Sequence, residues 1–328
     1  MTTRPVEDIA RKIGDVRRVA ITSHLRPDGD SLCTGLALAE ALQSLGKTAD
    51  YVITDPIPVP FNAFPDCARI RIGQLPPTGY DAVILLECAD VSRSGQTGLE
   101  GYFKINIDHH YSNARYADIN WVDAGASAVA EMALELCETA GIALTPGIAG
   151  HLYCAIVSDT GSFQFSNTTA KAFAACRKLV EAGADPIRTS EALFHTNRPE
   201  KVILLGRVLS TLTLNASGEI ARIGMFRRDL IELNLRDVDT EDITTLARSI
   251  KGLRVVLFFK EMEPDVFRVS IRSKGEAHAA AIAEHFGGGG HAHAAGFTVH
   301  GPYDKLAVEV TETVDRLLAE RAFPRTSR

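Results

Sequence analysis

Short apolar runs alternate along the first half of the chain with longer stretches whose apolar positions recur every three or four residues. "RRVAIT" (17–22), "ADYVIT" (49–54), "YDAVILLEC" (80–88) and "YFKINID" (102–108) are rich in Val and Ile and bounded by Gly, Pro and Asp, which predicts strands. "SLCTGLALAEALQSLGK" (31–47) carries Leu32, Leu36, Ala39 and Leu42 at helical spacing, and further helices are predicted over 126–141, 146–158 and 170–183. Such alternation implies a mostly parallel sheet covered by helices, with ligands beyond the carboxyl ends of the strands. Residues 186–213 read as amphipathic helix bridging two domains. The pattern then changes: "EIARIGMF" (219–226), "LRVVLFFKEM" (253–262) and "VFRVSIRS" (266–273) read as strands, the last two joined by "EPD" in a hairpin. A helix over 275–286, a glycine run and a helix over 303–321 complete a smaller α/β domain. The predicted division is 1–188, a helical linker at 189–213, and 214–328.

Composition narrows this picture. A chain of 328 residues, 45% hydrophobic and 23% charged, suits a soluble protein with real cores. No stretch approaches eighteen uninterrupted apolar residues, and the first residues lack the apolar centre of a secretory signal, so a cytoplasmic protein without a membrane partner is expected. Six cysteines, at 33, 67, 88, 137, 154 and 176, form no C-x-x-C pair, which argues against a zinc ribbon or a disulfide framework. A net charge of -6 argues against a grip on long nucleic acid and leaves small anions in a local pocket.

The chemistry gathers where strands end. "SHLRPDGDS" places His24, Asp28 and Asp30 just after the first strand, a set suited to a divalent ion such as Mn2+ or Mg2+. The plain alternative is a turn in which Asp30 or Ser31 caps the next helix. "LLECADVSR" puts Glu87 and Asp90 at the end of another strand, followed by Arg93, a residue fit for phosphate or for a surface pair with an aspartate. "IDHH" ends a third strand with Asp108, His109 and His110; a metal-bound imidazole usually turns its other nitrogen to a carboxylate or carbonyl. Asp159 lies where a helix meets a glycine-containing turn. A sheet would bring these ends together, and so many carboxylates repel unless cations sit among them. Two ions would clamp a displacement at phosphorus. In the second domain "FGGGGHAHAAG" reads as an anion nest ending in His291, with Arg272 and Lys274 near it and a flexible hinge as the plain alternative.

These blocks, "SHLRPDGDS", "LLECADVSR", "IDHH", "SDTG" and "GGGGHAHAAG", span residues 23 to 296 and in this order resemble the DHH phosphoesterase superfamily, the last belonging to its DHH-associated C-terminal domain. Length and spacing are most similar to its nanoRNase and 3'-phosphoadenosine 5'-phosphate (pAp) phosphatase type. The resemblance implies an active site in a cleft between the domains and two divalent ions, manganese preferred over magnesium. His24 and Asp28 would hold one ion, Asp30, His109 and Asp159 the other, with Glu87 bridging. The family usually has Asp at that position, so Asp90 is the competing bridge, and Glu87 is favoured because it occupies the aligned strand end. His110 would face the substrate phosphate, with Asp108 and Arg93 as further catalytic candidates. Arg272, Gly288, Gly289, Gly290 and His291, with Ser273 less central, would hold the nucleotide. The implied activity is hydrolysis of short RNA oligonucleotides, and of pAp to AMP, with a homodimer left open. The rivals are a linear or cyclic dinucleotide phosphodiesterase and a weakly catalytic nucleotide sensor.

Overall fold

The apolar runs of the first half become the strands of one parallel sheet. The computed structural model describes residues 4–320 except 60, 237 and 239, and the chain divides into units 1–196 and 197–328. In the first unit lie β1 (Arg18–Ser23), β2 (Thr48–Ile53), β3 (Arg71–Ile72), β4 (Ala82–Leu86), β5 (Phe103–Asp108) and β6 (Ile119–Val122). All pair in parallel, in the order β3-β2-β1-β4-β5-β6. The winding reverses between β1 and β4, and at such a reversal the loops leaving two neighbouring strands part and open a crevice at their carboxyl ends.

The helices of this unit are α1 (Pro5–Asp15), α2 (Gly29–Ser44), α3 (Val129–Thr139), α4 (Pro146–Asp159), α5 (Ala170–Glu181) and α6 (Pro186–Phe194). Val19, Ile21, Ile84, Ile105 and Ile107 pack against them in one core with Ile9, Leu36, Met132, Leu152 and Leu179. The opposite face is closed differently: Ala20, Val83 and Leu85 are covered by Leu75, Leu99 and Tyr102 from connecting segments. β3 and β6 escape prediction because β3 is only two residues long and β6, "INWV", lacks a clear alternation. Trp121 on β6 is buried in the core, as a packing residue.

The predicted cap of α2 moves by a few residues. Asp28 is the N-cap, its Oδ1 accepting from the Ser31 N–H at 3.0 Å, so neither Asp30 nor Ser31 caps this helix. α2 is buried nearly all round because it lies among the sheet, α3 and α4. At Gly29 a Cβ would fall 2.1 Å from Ser158 Oγ and 2.4 Å from Phe61 Cζ. The missing side chain lets the start of α2 touch the end of α4, next to Asp159.

The second unit contains α7 (Pro199–Ser210), β7 (Thr213–Leu214), β8 (Ile220–Met225), α8 (Arg227–Glu232), α9 (Glu241–Arg248), β9 (Val255–Glu263), β10 (Val266–Ser273), α10 (Ala279–His285), β11 (Gly289–His291), β12 (Ala294–His300) and α11 (Tyr303–Ala319). Its sheet runs β11-β12-β10-β9-β8-β7, antiparallel except for β8 with β9. The glycine run is not a nest. The Gly287 and Gly288 N–H groups donate to the Glu284 and Ala283 carbonyls and cap α10, and the chain then enters the β11–β12 hairpin. A Cβ at Gly288 would lie 2.3 Å from the Gly296 carbonyl oxygen, and one at Gly290 2.5 Å from Ala295 Cα, so two of these glycines serve strand contact.

The α2–α4 contact predicts a contrast within the helices. Gly29→Ala should cost about 1–3 kcal/mol by overpacking. Gly150→Ala in α4, where a Cβ meets nothing within 4 Å, should stabilise by about 0.5–1 kcal/mol. Denaturant unfolding of both variants checks this; equal effects would contradict the packing account.

Candidate active site

Each acidic or imidazole group ends a regular element, so the sheet and helices deliver them to one place. His24 and Asp28 follow β1, Glu87 follows β4, His109 follows β5, and Asp159 closes α4. His24 Nε2 lies 3.6 Å from Asp28 Oδ2 and 4.0 Å from Glu87 Oε2. His109 Nε2 lies 3.8 Å from the same Glu87 oxygen and 4.0 Å from Asp159 Oδ2. Donor atoms of His24, Asp28 and Glu87 form one set within 4.8 Å of one another, and those of Asp30, His109 and Asp159 form another. A further set joins Glu87 to His109 and His110.

These separations exceed hydrogen bonds, whereas donors about 2.1 Å from one cation sit roughly 3–4 Å apart. The groups therefore fit divalent ions better than each other. Both imidazoles that face the carboxylates are held in one orientation by backbone: His24 Nδ1 meets the Leu25 carbonyl at 2.9 Å and His109 Nδ1 the Ala126 carbonyl at 3.1 Å, which turns each Nε2 toward the acidic groups, where it could meet a cation. Glu87 supplies the clearest sign. It is 2% exposed, and its Oε1 has no hydrogen-bond partner. A buried carboxylate without partners is costly unless a cation meets it. Its backbone is left-handed, φ 55°, a conformation that costs a non-glycine residue about 1–3 kcal/mol and that turns the side chain where β4 ends.

Asp90 stands apart from these sets. It caps the short turn Val91–Ser94, accepting from the Ser92 N–H at 2.9 Å and from the Ser92 hydroxyl. Arg93 is exposed on that turn, and its carbonyl accepts from the Leu25 N–H at 2.6 Å. Asp30, 1% exposed, sits at the start of α3, where its oxygens accept from the Val129 and Ala130 N–H groups at 2.5 and 3.2 Å and from the Thr34 hydroxyl at 2.9 Å. Asn167 steadies Asp159, donating to its Oδ2 at 3.2 Å and its carbonyl at 3.1 Å. The β5 strand stops at Asp108, which breaks the pleat and lets the two histidine rings diverge, 81° apart. His110 turns its Nδ1 to Asp108 Oδ1 at 2.7 Å, while His109 faces the acidic groups.

Burial, with the neighbouring charge of Asp159, pushes the Asp30 carboxyl up to about 7. Burial and the charges of Asp30, Asp28 and Asp159 push Glu87 well above the carboxylate range, and burial raises Asp159. Asp28 ends below its ordinary value, because the opposing effect of burial is outweighed by His24 and the Ser31 N–H.

In the second unit Arg272, Ala294 and His291 stand in one row across β10, β12 and β11, so Arg272 and His291 share a face over a small residue. Gly289 and His291 are exposed there. Ser273 is buried, and its hydroxyl donates to the Ala277 carbonyl at 2.6 Å and lies 3.2 Å from His293 Nδ1, so it braces the loop rather than presenting to a ligand. Sequence reasoning missed Asn106, Asn113 and Asn167. Asn106, a polar residue inside the apolar β5, carried a readable signal; the two loop asparagines carried none.

The chain is similar to known proteins over most of its length. Residues 18–156 match the DHH family, N-terminal domain, and 231–320 match the DHHA1 domain. A bifunctional oligoribonuclease and PAP phosphatase NrnA from Thermus thermophilus is 33% identical over 303 residues, 91% of this chain and 90% of that one. The chain belongs to the DHH family. Another protein of that name, from Bacillus subtilis, is 26% identical over 320 residues, covering 95% of this chain and 96% of its own. The crystal structure of an exopolyphosphatase-related protein from Bacteroides fragilis shares the fold with a TM-score of 0.81 at 21% identity, over 94% of this DHH chain and 95% of that one. Among the described residues no helix is long and apolar enough to cross a membrane, and all six cysteines are free and buried.

The raised carboxyls set a pH dependence. In the folded state they keep protons that the unfolded chain releases near pH 4, so stability of the ion-free protein falls as pH rises from about 4 through about 7. His24 and His110, also raised, act in the same direction at higher pH, and the lowered Asp28 and Asp108 oppose it only in more acid solution. Ion-free protein should melt lower at pH 8 than at pH 5.5, and Mn2+ should raise the melting temperature more at pH 8; equal shifts at both would contradict the site.

Proposed function

We propose that this chain is a two-ion, manganese-dependent phosphoesterase that hydrolyses short oligoribonucleotides to mononucleotides and converts pAp to AMP. The observation that carries the reading is the pair of donor sets meeting at Glu87 and His109. A nucleotide sensor has no need of two such sets. Substrate class is supported by relatives named for both activities over nearly their whole length. The net charge of -6 favours short substrates, since long strands gain little from an acidic chain.

In this reading His24 and Asp28 would hold one ion and Asp30, His109 and Asp159 the other, with Glu87, whose Oε2 lies near both His24 and His109, available to either. Bound divalent ions supply Lewis acidity toward a phosphoryl group. His110, tethered through Nδ1 to Asp108, keeps Nε2 for the substrate, as phosphate ligand or proton donor to the departing oxygen. Arg93 offers a further cation to phosphate. In the second unit Arg272, His291 and the Gly289–Gly290 backbone of edge strand β11 are assigned to the nucleotide, the Gly288 N–H being already given to the Ala283 carbonyl.

A substrate panel tests this. With Mn2+, the protein should turn over pAp and RNA of three to five nucleotides much faster than a 24-mer or pyrophosphate; preference for the 24-mer or for pyrophosphate would overturn the assignment, and preference for pGpG would move it to a dinucleotide phosphodiesterase. Glu87→Gln should lower kcat by about 100-fold or more, a loss expected for removing a metal-side carboxylate. Asp90→Asn should stay within about twofold, as for a surface change away from the reacting groups. The reverse order would assign the bridge to Asp90.

A further inference from the structure

Behind the Asp108–His110 pair lies a buried amide network. Asp108, on β5, is fully buried. Its Oδ1 accepts from the His110 N–H at 3.0 Å and meets His110 Nδ1 at 2.7 Å. Its Oδ2 accepts from Asn113 Nδ2 at 2.5 Å. The same Nδ2 donates to Asn106 Oδ1 at 2.7 Å and approaches the Cys88 carbonyl at 3.2 Å. Asn106, fully buried, turns its own Nδ2 toward the Leu85 and Cys88 carbonyls at 3.3 and 3.1 Å and toward the Tyr116 hydroxyl at 3.2 Å.

The orientation of both amides is fixed by their partners. A backbone N–H only donates, and the Arg115 N–H meets Asn113 Oδ1 at 2.8 Å, so Nδ2 is the atom facing Asp108. Carbonyls only accept, so Asn106 turns its Nδ2 to β4 and its Oδ1 to Asn113. Asp108 is thus held on one oxygen by Asn113 and anchored through Asn106 to the carbonyls at the end of β4, the strand that also delivers Glu87. Its other oxygen faces the His110 ring. The arrangement fixes an imidazole's tautomer and direction as a buried carboxylate does beside a catalytic histidine.

We propose that Asn113, braced by Asn106, is a positioning residue that acts through Asp108 to hold the His110 ring with Nδ1 protonated and Nε2 directed to the substrate. The kinetic consequence rests on the role given above to His110. When the phosphorus–oxygen bond to a departing nucleoside breaks, its electron pair stays on that oxygen and the proton on His110 Nε2 passes to it. His110 is left neutral with its remaining proton on Nδ1 against Asp108. The attacking water forms the new phosphorus–oxygen bond and loses a proton to solvent, which returns one to Nε2. A p-nitrophenolate leaves without needing that proton, so turnover of a p-nitrophenyl ester depends little on how His110 is held.

Asn113→Ala and the nearly isosteric Asn113→Asp, which replaces the donor with an acceptor, test the inference in the full-length protein with Mn2+. On a short RNA substrate Asn113→Ala should lower kcat by about 30-fold or more, within the range of general acid catalysis, with KM and Mn2+ affinity little changed. On the p-nitrophenyl ester of a nucleoside 5'-phosphate the loss should stay within about threefold, as expected when no proton transfer is lost. Asn113→Asp should be at least as damaging as Asn113→Ala. Spectra of 15N-histidine-labelled protein, taken at a pH where the ring is neutral, should show His110 protonated at Nδ1 in the parent and a tautomer mixture in Asn113→Ala. An equal loss on both esters, or an unchanged tautomer, would overturn the proposal. If the parent hydrolyses neither ester, the functional reading fails while the spectra still decide the role of Asn113.

Discussion

Four carboxylates, Asp28, Asp30, Glu87 and Asp159, are brought to one crevice where the first sheet reverses its winding, and their mutual repulsion is the constraint that the surrounding structure answers. Asp28 gives one oxygen to the cap of α2, Asp30 binds the N–H groups that open α3, and Asp159 is held by Asn167. Glu87 alone has a buried oxygen without any such partner, on a residue whose backbone is strained. Burying a charge in this way is costly unless a proton or a cation neutralises it. The same groups that cap helices thus keep an unsatisfied edge toward the crevice, and the family assignment fits that chemistry.

Rigid packing sets where the acidic groups stand. Gly29 admits the end of α4 against the start of α2, which fixes Asp28 and Asp30 relative to Asp159. Backbone carbonyls of Leu25 and Ala126 turn two imidazoles so that the same nitrogen of each points inward. Between the two histidines of the triplet the strand ends, and the rings take separate partners. Adjacent residues of one motif therefore occupy different environments without any loop of unusual length.

Much of this was legible in the sequence because strand ends are easy to find and polar residues there are conspicuous. His24, Asp28, Glu87 and His109 each follow the apolar run of a strand, parallel strands bring such ends together, and Asp159 reaches them from the end of α4. Glu87 was favoured over Asp90 for its place at the strand end; the left-handed turn at Glu87 and the Ser92 cap, which set the two carboxylates apart, could not be read from the residues. The glycine run read as an anion nest, whereas two of its N–H groups cap α10 and two glycines allow a hairpin to approach, a distinction that requires knowing which carbonyls lie opposite. Asn113 was invisible because its role depends on contacts made only after β4 and β5 pair.

The central claim is that Glu87 joins two cation sites. Its most direct measurement is electron paramagnetic resonance of the Mn2+-loaded protein at a metal-to-chain ratio of about two, one ion for the set of His24, Asp28 and Glu87 and one for that of Asp30, His109 and Asp159. The account predicts the spectrum of two exchange-coupled ions in the parent and loss of that coupling in Glu87→Gln. A spectrum of isolated ions in the parent, or a coupled pair that survives the substitution, would contradict it.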